Sequence, residues 1–169
     1  MRSLTTTLLL YLANLSMAQV SHFCVGDTIQ FSEIETMSGD SYSIDQLDSD
    51  LLVMNFWNVG CKGCLIELPF LNKIHDNLKD ESITFWSITL NRERGLTDYL
   101  SKHPIHWEIK GNVEFTGNFS DSQFNIKRMP ATIVINKNKE ILYAKSGPIT
   151  DDENGAKFLT LLKTGQPWK

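Results

Sequence analysis

Leu51-Leu52-Val53-Met54-Asn55-Phe56-Trp57 is followed by Asn58-Val59-Gly60 and then by Cys61-Lys62-Gly63-Cys64. The first seven residues form a nearly continuous apolar run, the pattern of a strand buried on both faces. The period then changes. Cys64, Glu67, Leu71, Ile74 and Leu78 recur at +3, +4, +3 and +4, which marks one face of a helix. Pro69 lies inside that pattern and is expected to kink the helix, because it lacks a backbone donor and crowds the preceding turn. A buried strand thus feeds a helix whose first turn carries two cysteines.

Working outward, Ile83 to Leu90 and Ala131 to Asn136 read as two further buried strands. Leu96 to Lys102 reads as a short helix, and Gln123 to Ile126 as a helical turn. A turn over Asn136 to Lys139 sends Ile141 to Lys145 back antiparallel to the third strand, and Asn154 to Leu162 forms a closing helix. Upstream, Ile29–Glu35 and Ser41–Ile44 flank the turn signal Met37-Ser38-Gly39-Asp40 and read as a β-hairpin, followed by a short turn or helix at Asp45–Leu47. Strands alternating with helices predict parallel pairing, with the last hairpin adding antiparallel edge strands. The result is an α/β layered domain.

The 169 residues, 41 % of them hydrophobic, suffice for one domain. A formal net charge of −4 leaves no extended basic footprint for nucleic acid. Beyond the extreme N-terminus no apolar stretch approaches the roughly 20 residues of a membrane-spanning helix. That N-terminus reads as a signal peptide over residues 1–18: Arg2, an apolar stretch from Leu4 to Leu15, and Ser16-Met17-Ala18 before Gln19. A fraying N-terminal helix and an uncleaved anchor are the alternatives. Export puts the cysteines where disulfides persist. Bulky Phe23 before Cys24 argues against a lipid anchor there, and Cys24 is left as a buried small residue, a free thiol or a mixed-disulfide site.

Cysteines three apart at a helix start can close a disulfide within one turn. The first faces unpaired N–H groups and the positive end of the helix dipole, which favour the attacking thiolate. Cys61 therefore reads as the nucleophile, and Cys64, one turn inward, as the thiol that resolves a mixed disulfide. A structural disulfide would constrain so short a loop little, and half a zinc site lacks a second C-x-x-C, with nothing in the spacing bringing His103 or His106 to it. Glu67 shares the inward face with Ile74 and Leu78, so its carboxyl is expected to be desolvated, raised in pKa and able to exchange a proton with Cys64. Lys62 reads either as a cation favouring the thiolate or as an exposed solubilising lysine. Pro130 reads either as a strand-start residue or, with a cis bond, as a means of turning the Met129 backbone toward Cys61.

The segment from Phe56 to Pro69, with Phe-Trp, C-x-x-C, Glu three residues on and Pro two further, resembles the active-site segment of the TlpA/ResA-like exported thioredoxins. Phe124 to Ile126 and Met129-Pro130-Ala131-Thr132 are similar to the family's cis-proline segment, and Asn136 to Ile141 to its following turn. The resemblance runs from about Val25 to Leu162. It implies a thioredoxin-like domain over residues 19–169 with an N-terminal hairpin. It further implies exchange at a Cys61–Cys64 disulfide, a proton-handling Glu67, and a substrate-binding cis-Pro loop at Met129 and Pro130. It calls for no cofactor. The partners it implies are protein thiols and disulfides, with reducing equivalents from a membrane electron donor, and many members act in the periplasm, some in cytochrome c maturation. Two rival functions stand beside it. A peroxiredoxin-like peroxidase wants Pro-x-x-x-Thr-x-x-Cys, but Met54 and Asn58 occupy those positions. A metal carrier would hold copper or zinc on Cys61, Cys64 and a histidine. His75, one position past Ile74, is expected at the surface, and His22, His103 and His106 form no constellation. Phe56, Trp57, Phe85 and Trp86 are expected in the core.

Overall fold

A computed structural model describes residues 24–29, 33–35, 40–79, 81–89, 91, 93–110, 126 and 128–167. The leader read over residues 1–18, the hairpin turn at 37–39 and the helical turn at 123–125 lie outside the described residues.

The elements run β1 (Glu33–Glu35), β2 (Ser41–Ser43), β3 (Leu51–Trp57), α1 (Lys62–Leu78), β4 (Ile83–Thr89), α2 (Glu93–Lys102), β5 (Glu108–Lys110), β6 (Ala131–Asn136), β7 (Ile141–Ser146) and α3 (Glu153–Thr164). Five strands make one mixed sheet in the order β5-β4-β3-β6-β7, and β1 and β2 pair separately as an antiparallel hairpin. β3 sits in the middle. It pairs parallel with β4, from Leu51 against Ile83 to Trp57 against Thr89, and antiparallel with β6, from Leu51 against Asn136 to Phe56 against Ala131. Its continuous apolar run follows from that position, because every one of its side chains is buried.

The two faces of β3 serve different cores. Leu52, Met54 and Phe56 join Trp86, Ile88, Ile133 and Ile135 beneath the hairpin, where Ile34 and Tyr42 close the layer. Leu51 and Val53 meet Leu71, Ile74 and Leu78 of α1 and Phe158, Leu161 and Leu162 of α3 on the opposite face. Burial of one such side chain contributes roughly 1.5–3 kcal/mol. The helix runs on through Pro69 from Lys62 to Leu78. α3 is fixed at its start by Asp152, whose carboxylate accepts from the backbone N–H groups of Asn154 and Gly155.

The sequence expectations differ from the fold in three places. β5 was not foreseen and extends the sheet beyond β4, parallel to it. β6 is not an edge strand, since it lies between β3 and β7. His75 is half-buried rather than fully at the surface, with 23 % of its side chain exposed. Its ring lies edge-on to Phe85 at 5.3 Å and 5.8 Å from Trp107, so the loop before β5 covers one side of it.

Candidate active site

β3 ends at Trp57 and the chain turns through Asn58, Val59 and Gly60 into α1, with the Val59 N–H donating to Asn91 Oδ1 at 2.7 Å. Cys61 is the N-cap of α1, and its Sγ accepts from the Cys64 N–H at 3.2 Å. A sulfur in that position meets the unpaired N–H groups of the first turn, the environment that favours a thiolate once the pair is reduced. Cys61 and Cys64 form a disulfide with their Cα atoms 5.3 Å apart. Cys61 is half-buried and Cys64 buried, so the first cysteine is the one presented outward, while Lys62 is exposed.

Below Cys64 the inward face of α1 brings Glu67 to 1 % exposure. Its Oε1 accepts from Asn55 Nδ2 at 2.8 Å, and its Oε2 accepts from the Ile149 N–H at 3.1 Å. Burial pushes the carboxyl up to about 7, against the opposing pull of those two hydrogen bonds. Both partners are neutral, so the charge of an ionised Glu67 is not compensated. Asn55 Nδ2 also donates to Thr132 Oγ1 at 3.1 Å, which fixes the amide between β6 and α1. Glu67, Asn55 and Cys64 line a common cavity of about 10 Å³, walled by Trp57, Tyr99 and Ile105. Such a volume admits about one water-sized group.

Trp57 is held in the wall from two sides. Its Nε1–H donates to Ser87 Oγ at 2.5 Å, and its ring stacks on Tyr99 at 5.4 Å. The Met129–Pro130 peptide bond is cis, with Met129 half-buried in the cluster of Cys61, Cys64, Trp57 and Leu96. Cys61, Cys64, Glu67, Met129 and Pro130 thus gather at one end of the sheet. Cys24 is exposed and does not join a disulfide. His103 lies against Tyr99 at 4.8 Å, and His106 Nδ1 pairs with Asp76 at 2.8 Å. Among the described residues no three His, Cys, Asp or Glu side chains cluster as a metal site would need.

Asn55, Thr132, Ile149 and Tyr99 belong to this site although the sequence reading did not select them. For Asn55 a signal existed, a lone amide in an otherwise apolar buried strand. Ile149 acts through its backbone, and no side-chain pattern reveals that.

The chain is similar to known thiol-disulfide oxidoreductases. The chain is 24 % identical over 131 residues to the thiol-disulfide oxidoreductase ResA of Halalkalibacterium halodurans, covering 77 % of this chain and 72 % of that one. It is 23 % identical over 128 residues to the sporulation thiol-disulfide oxidoreductase A of Bacillus subtilis, covering 71 % and 73 %. Among solved structures, a thiol:disulfide interchange protein from Bacteroides sp. superposes with a TM-score of 0.62 at 21 % identity, over 84 % of this chain and 94 % of that one. That is the thioredoxin fold. A model of the Redoxin family matches residues 24–159, most of the chain, so the chain belongs to the Redoxin family, on the TlpA/ResA-like side that its active-site segment resembles.

Proposed function

We propose that this protein is an exported thiol–disulfide oxidoreductase that reduces protein disulfides, with Cys61 as nucleophile, Cys64 as resolving thiol and Glu67 as proton acceptor. The observation that carries the reading is the closed Cys61–Cys64 pair at a helix N-terminus, with a buried, uncompensated Glu67 lining the same cavity as Cys64.

In the reduced protein the Cys61 thiolate attacks one sulfur of a substrate disulfide, and the other substrate sulfur leaves as a thiolate. The Cys64 thiol passes its proton to the Glu67 carboxylate, and the Cys64 sulfur then attacks Cys61. The Cys61–Cys64 bond forms, the bond to substrate breaks, and two electrons have moved to the substrate. A carboxyl near 7 suits this transfer, since it takes up and releases a proton close to neutrality. The Met129–Pro130 edge supplies backbone for the substrate chain to lie along. A dithiol donor must then reduce the pair again, and the family resemblance favours a membrane donor. The signal-like residues 1–18 support export, with residues 19–169 as the working domain.

The test is the reduction potential of the Cys61/Cys64 couple, measured against glutathione or dithiothreitol in a Cys24→Ser background. A value near ~−250 mV or below supports a reductant, on the scale where thioredoxin lies at ~−270 mV. A value near ~−120 mV, where DsbA lies, makes the protein an oxidant. Absence of a reversible disulfide overturns the reading.

A further inference from the structure

Three residues after β7, Gly147-Pro148-Ile149, touch each part of the active site at once. The Gly147 N–H donates to the carbonyl oxygen of Pro130 at 2.8 Å. The Pro148 ring lies beside the cysteine turn: a β-carbon placed on Gly63 would sit 3.8 Å from Pro148 Cδ and 2.9 Å from Pro130 Cδ. The Ile149 N–H donates to Glu67 Oε2. The two amide hydrogens of this segment are therefore spent on the cis-Pro loop and on the buried acid, and Pro148 between them has none to spend.

We propose that Gly147-Pro148-Ile149 is a positioning strap that couples occupancy of the Met129–Pro130 substrate edge to the protonation of Glu67. The inference rests on the oxidoreductase reading above and extends it to residues outside the Cys61–Cys64 pair.

The path from the loop to the acid is short. Gly147 has φ +104, a conformation that L side chains rarely adopt, so the turn onto Pro148 needs glycine, and proline fixes φ at the next position. Pro148 is bonded directly to Ile149, so its displacement reaches the Ile149 N–H through one peptide unit. Pro148 is exposed while Ile149 is 1 % exposed, so the strap has one end in reach of a docked chain and the other in the core. The hydrogen bond from Ile149 is made in the free protein at 3.1 Å, and in the proposed device docking lengthens it. That bond favours the ionised carboxyl, and its loss makes Glu67 a better proton acceptor. Docking would thus prepare the acid for the moment at which Cys64 must lose its proton. The titratable groups facing Glu67 are Cys64 on its own helix, Tyr99 of α2 across the cavity and Tyr143 of β7. Tyr143 is held high by burial, then by Glu67 and by Asp152 at the start of α3. None of these is a cation that would hold the carboxylate ionised.

The test uses the full chain carrying Cys24→Ser and Cys64→Ser, with Cys61 joined in a mixed disulfide to a short uncharged peptide through its cysteine. The reference is the same chain with Cys61 capped as a methyl disulfide, which keeps the sulfur chemistry constant. Glu67 is titrated by carbon-13 NMR of its carboxyl. The peptide is expected to raise the midpoint above that of the methyl cap, and Pro148→Gly and Gly147→Ala are each expected to remove most of that rise. An equal midpoint for peptide and methyl cap overturns the proposal, as does a rise that persists unchanged in the strap variants. Should Gly147→Ala fail to fold, Pro148→Gly decides alone. The adduct is made from an activated peptide, so the result does not depend on turnover; the oxidoreductase reading stands or falls separately on the Cys61/Cys64 potential.

Discussion

Two side chains with opposite charges are buried on opposite faces of the sheet, and they are treated differently. Lys110, 4 % exposed on β5, pairs with Glu108, and its ammonium lies 3.6 Å from the centroid of Tyr42 and 5.3 Å from that of Trp86. Glu67, 1 % exposed on α1, has only the amide of Asn55 and the N–H of Ile149. The lysine has an ion-pair partner and two π-faces. The glutamate has neutral donors alone, and burial drives it to about 7. A buried charge with a counter-charge holds structure; one without is poised to change state.

The largest expected effect breaks the glutamate side of this contrast. Glu67→Gln keeps shape and polarity but cannot carry the proton. Exchange is expected to fall by about 10²–10⁴ at neutral pH, with the limb of the pH profile near 7 lost. Stopped-flow reduction of a model disulfide across pH reads both, and an unchanged profile removes Glu67 from the mechanism.

Stability should show the same group. Folded Glu67 holds its proton up to about pH 7, whereas the unfolded chain releases it near the ordinary value of 4.5. Between these values the folded state binds more protons, so stability is greatest below the window and is lost as pH rises through it. The loss is about 3 kcal/mol and ends above pH 7. Urea unfolding of the oxidised protein at pH 4.5, 6 and 8 measures it, and Glu67→Gln should remove this component of the slope.

Asn55→Ala sharpens the comparison by taking one neutral donor away. The Glu67 midpoint is expected to rise by about one pH unit, read by carboxyl NMR, because a hydrogen bond to the charged form has gone. Lys110→Met should do least. It keeps the stem, strips the charge from a group that also bears a desolvation cost, and leaves Glu108 largely in solvent. Stability is expected to change by no more than about 1 kcal/mol, with disulfide exchange unaltered.

These residues also show what a sequence reveals. Glu67 was legible because a carboxylate sat at +3 from Cys64 in an apolar helical period, and the period alone turns it inward. β3 was legible to its ends because burial on both faces leaves an uninterrupted apolar run. β5 was not, since Glu108-Ile109-Lys110 shows two charges in three residues. Lys110 is covered in part by Tyr42, which arrives from the distant hairpin. His75 was legible in part: its helical position faces outward, as the period says, and Trp107 from a distant loop covers one side of the ring. The conformation before Pro130 came from family likeness, as the residues alone left it open. The strap at 147–149 could not be read at all, because its hydrogen bonds run through main-chain atoms that every sequence possesses.

The central place of β3 has a consequence for biosynthesis. Its parallel neighbour β4 follows soon after it along the chain, but its antiparallel neighbour is β6, so that Leu51 waits for Asn136 and Phe56 for Ala131. While the polypeptide emerges from the ribosome or a translocation pore, the most apolar strand keeps one open side until most of the chain has appeared. During that interval a holding chaperone would find its binding segment at residues 51–57, and a truncated product ending before residue 131 would carry that edge permanently unpaired.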